Sequence, residues 1–182
     1  MKAEKGDYHY LQHRKITQLL IALGCFILVM IAILTGYIHY GTTKNIGTVV
    51  GIVCVIPAAK FLVTYIIMFP YNVPDKEMYG RLKAYDVILI CAAVMSSEEK
   101  VRYAEFIAIR DKHIFVYLNH NASKEQEIQK YIKTLICESF PGTVVKTYTD
   151  FEKYCENVER ISSKEHSGAD KRVADFIKIN II

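Results

Sequence analysis

Five side chains between residues 86 and 113 have the chemistry for catalysis: Asp86, Cys91, Glu105, Lys112 and His113. Two carboxylates and a lysine are the set with which a metal-dependent nuclease or related hydrolase holds a divalent ion and activates water. Asp86, Glu105 and Lys112 supply the types, but the E-x-K spacing is missing, because Ile107 stands where the lysine belongs. A cysteine with His113 or His120 would make a nucleophile and base if the two reached hydrogen-bonding distance. Cys91, however, lies inside the apolar run YDVILICAAV, where a thiol is a protonated core residue. His113 and His120 are expected at a strand end and a turn. Neither G-x-G-x-x-G nor G-x-x-x-x-G-K-[ST] occurs, and H-E-x-x-H and G-x-S-x-G are also absent. The residues imply no metal and no cofactor. The five cysteines follow no C-x-x-C pattern, so they read as reduced thiols in a reducing compartment.

The elements that position these residues are legible from about Tyr85 onward. Tyr85–Val94 is a continuous apolar run of the kind that forms a buried strand. VRYAEFIAIR (101–110) and HIFVYLN (113–119) are rich in β-branched and aromatic residues and are separated by a hairpin-like spacing. From Ser123, with Gln126 at the reciprocal capping position, Ile128, Tyr131, Ile132, Leu135 and Ile136 recur at helical spacing. Pro141 and Gly142 follow that helix, and TVVKTY (143–148) is a short strand parallel to its predecessor. Thr149 or Asp150 then caps a helix whose apolar face is Phe151, Tyr154, Cys155 and Val158. RVADFIKINII fits a helix better than a strand. The expected domain, 85–182, is α/β: a mixed sheet in the order β-β-β-α-β-α with helices packed on it.

The first 70 residues are of another kind. Ile16–Ile38 and Ile46–Phe69 are each apolar for longer than the ~20 residues needed to cross the ~30 Å hydrocarbon layer. Residues 39–45 link them as a short polar loop, so the two form an antiparallel transmembrane hairpin. The first is too long for a signal-peptide core, and no A-x-A-like site follows it. Lys2, Lys5, Arg14 and Lys15 precede the first span, Lys76, Arg81 and Lys83 follow the second, and the loop holds only Lys44. The positive-inside rule therefore places a basic tail (1–15), a linker (70–84) and the domain in the cytoplasm, with the loop outside. Asn121-Ala122-Ser123, a glycosylation sequon, is idle in that placement.

Two features interrupt the second span. Pro57 removes a helical N–H and crowds the Val53 carbonyl. Lys60 lies nine residues before Phe69, roughly 13 Å along the helix from the inner boundary. A centred lysine costs about 2.5–3.5 kcal/mol on insertion scales, so it calls for a partner, a snorkelling path or a local defect. Gly47 and Gly51 form a G-x-x-x-G pattern that favours close helix approach.

The net charge of +4 is not a nucleic-acid signature. Residues 78–182 hold 16 Lys/Arg against 15 Asp/Glu, and the surplus flanks the apolar runs. With no tryptophan and many isoleucines, lysines and tyrosines, the composition is that expected of a bacterium with an AT-rich genome. The sequence reads as a multi-pass cell-membrane protein with both ends cytoplasmic. Its expected contacts are the lipid bilayer and a protein partner, or a second copy, and no nucleic acid. The alternatives are a membrane-tethered hydrolase or nuclease using Asp86 and Glu105, and a lipid-sensing protein using Lys60.

Overall fold

The computed structural model describes residues 4–42, 46–96, 100–119, 122–164 and 168–182; Lys44, His120 and Asn121 lie outside them. It divides into two compact units, residues 12–70 and a second built from the first 11 residues together with 71–182.

The smaller unit is a helix pair, α1 (Tyr10–Tyr40, of which Gln12 onward belongs here) and α2 (Ile46–Met68). Both are long and apolar enough to cross a membrane. Only 17 % and 11 % of their most apolar stretches are buried, so both helices leave most of their apolar surface exposed. Among the described residues, the exposed large hydrophobic ones all fall between Ile16 and Phe69 except Val144 and Ile179. α2 runs unbroken through Pro57. A Cβ at Gly51 would sit 3.0 Å from Ile33 Cγ1, so α1 approaches α2 closely at this glycine.

The larger unit is a four-stranded sheet, with β1 (Ile88–Ser96), β2 (Val101–Arg110), β3 (His113–Tyr117) and β4 (Val144–Tyr148) in that order. β1, β2 and β3 pair antiparallel, and β3 and β4 parallel. Strand alternation sends two apolar sets to opposite faces. One set, including Ile90, Ile107, Ile109 and Val116, packs on α4 (Ala122–Cys137) and α6 (Gly168–Ile179) through Ile128, Ile132, Ile136, Val173 and Ile177. The other, including Phe106, Ala108, Phe115 and Tyr117, packs on α5 (Phe151–Ser162) through Tyr154, Cys155, Val158 and Ile161. The β-β-β-α-β-α order and the mixed sheet agree with the sequence reading. Asp150 is the α5 cap, its carboxylate accepting from the Glu152 and Lys153 N–H groups. α4 begins at Ala122, so Ser123 lies in its first turn and not before it.

Two segments depart from expectation, and the helix expected at the end of the chain is followed by a short strand contact. The linker 70–84 contains α3 (Lys76–Lys83), capped by Asp75, whose Leu82 is fully buried against the α5 face of the sheet. Burial of that one leucine favours the docked helix by about 2 kcal/mol. Residues 4–11 are not a free basic tail. Gly6 O accepts from Cys91 N–H at 2.8 Å, Lys5 Nζ donates to Ile181 O at 2.6 Å, and Tyr8 stacks on Tyr79 while donating to Pro74 O. The last residues combine both readings considered for them. A helix runs to Ile179, Ile181 then bridges Met95, and Ile182 N–H bonds Val94 O. The outer edge of β1 is thus covered from both directions, which removes an edge open to misassociation.

Candidate functional site

The sequence-derived polar candidates separate into two places. β2 and β3 are joined by Asp111 and Lys112 alone, with φ of +45° and +60°. Positive φ at both positions is the two-residue hairpin geometry that matches strand twist, and asparagine, aspartate and glycine suit it best. Lys112 is an ill-suited residue there, and the fold supplies compensation. Asp170, in the first turn of α6 and only 1 % exposed, accepts from Asp111 N–H at 3.0 Å and Lys112 N–H at 3.3 Å. A carboxylate at a helix N-terminus also suits the helix dipole.

Around this turn the polar groups interlock. Arg110 is buried; its Nη2 lies 3.0 Å from Asp86 Oδ2, and its Nε donates to Lys164 O at 2.8 Å. Lys164 Nζ lies 3.3 Å from Asp111 Oδ2 and 3.5 Å from His113 Nε2. His113 Nδ1 is 2.6 Å from Asp111 O, which fixes the tautomer: Nδ1–H donates, leaving Nε2 to accept from Lys164. Three of the predicted residues, Asp86, Lys112 and His113, are therefore neighbours.

Glu105 is not among them. It lies five residues from Arg110 along β2, roughly 16 Å at strand rise. It faces instead toward Tyr103 and Tyr117, whose phenols are pushed up first by burial and then by the Glu105 charge. Asp86 and Glu105 thus do not converge on one ion, and among the described residues no three His, Cys, Asp or Glu side chains group as metal ligands. The turn cluster binds elements together: Asp86 holds the buried guanidinium, and Asp170 holds the turn. Sequence reading missed Arg110, Asp111, Lys164 and Asp170. Only the two-residue separation of β2 from β3 hinted at a turn needing support.

A cavity of about 120 Å³ opens between residues 6–8, α3 and the β1 edge, lined by Gly6, Tyr8, Tyr79, Lys83, Tyr85 and Cys91 among others. It is well below the ~300–1,000 Å³ of small-molecule sites. The Cys91 thiol is pushed up to about 12, first by burial and then by the Asp7 charge. It is neutral at physiological pH, which suits a core residue and not a nucleophile.

In the helix pair, Lys60 is exposed, its carbonyl accepts from Thr64 Oγ1 at 2.9 Å, and among the described residues its side chain has no hydrogen-bond partner. Lys15–Phe69 and Ile33–Gly51 are contacts with the same offset along the pair, and they set Lys60 level with Gly24. A Cβ at Gly24 would meet nothing within 4 Å.

Compared with known proteins, the chain matches no family model, no curated protein sequence and no solved structure.

Proposed function

We propose that the protein is a two-pass membrane protein that holds its α/β domain at the cytoplasmic face and works by contact with a protein partner. The observation that carries this reading is the distribution of apolar surface. Residues 16–69 hold nearly all the exposed large hydrophobic side chains of the described chain, whereas the domain buries its own. In water such a surface far exceeds the few hundred Å² that soluble monomers leave open; in a bilayer it is the required one.

The arrangement of the flanking segments supports a hairpin. Residues 4–11 and 71–182 belong to one compact unit, so the chain entering α1 and the chain leaving α2 share a side of the membrane. Two passes satisfy that; one pass would pull the unit apart. The lysine and arginine bias argues that the shared side is the cytoplasm. A contact role is favoured over hydrolysis because the candidate acids are either held in structural pairs, as Asp86 is, or remote, as Glu105 is.

The test is extraction of isolated membranes at alkaline pH in carbonate, followed by protease on intact cells. The expected result is a chain retained in the pellet, with its domain protected until cells are opened. Release into the supernatant, or digestion of the domain from outside, would overturn the reading.

A further inference from the structure

Lys60 is the only charged residue of α2, and among the described residues its ammonium group has no partner. The helix pair itself offers none. Gly51 meets Ile33 of α1, and Ala58, two turns on, is fully buried. Lys60 is nine residues from Gly51, which at about 100° per residue turns it about 180° from the face that meets α1.

The residues sharing the Lys60 face form a pattern. Ile46, Val49, Val53, Ile56, Lys60 and Val63 recur with alternating intervals of three and four, the heptad spacing of a helix that packs along a second helix. The five apolar members are 53–74 % exposed. A single polar residue at one seam position is the arrangement that fixes register and partner choice in helix pairs.

We propose that this face docks the transmembrane helix of a different protein carrying an aspartate or glutamate at the level of Lys60. The inference rests on the membrane-spanning reading above. A second copy cannot supply the acid, since no Asp or Glu occurs between Asp7 and Asp75. Lipid phosphate fits less well, because the roughly 13 Å to the Phe69 boundary is longer than a lysine stem. Apolar packing alone drives little association in lipid, so the pairing of Lys60 with the acid provides the selectivity while the Val/Ile seam provides the fit.

The experiment uses the full chain in phosphatidylcholine vesicles with synthetic Leu/Ala transmembrane peptides. One peptide carries a central glutamate at the depth of Lys60, the other a glutamine, and association is read by energy transfer from a labelled chain. The Glu peptide is expected to associate about tenfold more tightly than the Gln peptide, and Lys60→Met to remove that difference. Equal association of the two peptides, or a preference that survives Lys60→Met, would overturn the proposal. So would a preference appearing only after anionic phosphatidylglycerol is added, which would assign Lys60 to lipid phosphate. Vesicle flotation of both chains separates the two levels. Chains that float without a Glu preference refute this docking face alone; chains that fail to float refute the membrane reading beneath it.

Discussion

Replacing Asp170 with alanine tests whether the polar cluster at the β2–β3 turn is structural. The carboxylate is buried and accepts two backbone N–H bonds, from residues whose positive φ disfavours their side chains. Each charge-assisted bond contributes about 1.5–3 kcal/mol, and a buried N–H left without an acceptor costs about 1–3 kcal/mol. If water reaches one of the two amides after truncation, the expected loss for Asp170→Ala is about 3–5 kcal/mol. Asp170→Asn keeps one acceptor oxygen but sets an NH₂ against the other amide, so its loss is about 2–3 kcal/mol. The assay is thermal unfolding of the full chain in detergent followed by circular dichroism, with hydrogen exchange at the Asp111 and Lys112 amides. Both substitutions lower the midpoint in that order, and exchange at those two amides accelerates before global unfolding. A midpoint shift equivalent to less than about 0.5 kcal/mol for Asp170→Ala, with protected turn amides, would rule out a bracing role for Asp170.

Three other expectations follow from the same geometry. Gly6→Val places a side chain at φ +91° with its Cβ 3.0 Å from Ile90 Cγ2; it should cost about 2–4 kcal/mol and expose the Cys91 amide to exchange. The Cys91 thiol has an ordinary value near 9 and is raised to about 12 in the fold. The protonated form is thus the folded one: its contribution is complete below pH 9 and is lost as pH climbs toward 12, by at most about 1.4 kcal/mol per pH unit. Cys91→Ala should therefore show a shallower alkaline loss of stability in a pH series of unfolding curves. Tyr154 is fully buried, and its hydroxyl lacks a partner in hydrogen-bond geometry although the Ala108 backbone N–H is near. Tyr154→Phe should change stability by less than about 1 kcal/mol, measured by the same thermal assay.

Much of the domain was legible because its signals are local. The β2 run VRYAEFIAIR ends where Arg110 meets a two-residue turn, and its observed limits coincide with the expected ones. Asp150 announces α5 by its side chain, and Ile128, Ile132 and Ile136 announce the buried stripe of α4. What was illegible depends on contacts distant in sequence. The seating of residues 4–11 uses backbone groups, Gly6 O and Cys91 N–H, that leave no trace in residue type. α3 is a single short amphipathic stretch that follows Pro70 and Pro74 in a charged segment that reads as a linker, and its existence depends on Leu82 finding the sheet. Asp170 sits in a charged connector-like stretch, and nothing in GADK distinguishes a solvated carboxylate from one that braces a turn 58 residues earlier. For the site, the sequence supplied Asp86, Lys112 and His113 but not Arg110, which turns the acid from a candidate ligand into half of an ion pair.

The claim on which the rest depends is that α1 and α2 cross a bilayer and return the chain to the side it left. Thiol labelling with a membrane-impermeant maleimide reads this directly in intact cells carrying Thr42→Cys, a position in the turn after α1. Thr42→Cys is expected to label from outside, with none of the native cysteines labelled in the parent chain until the cells are opened. Absence of labelling at residue 42 in intact cells, with labelling there once they are opened, would contradict that crossing.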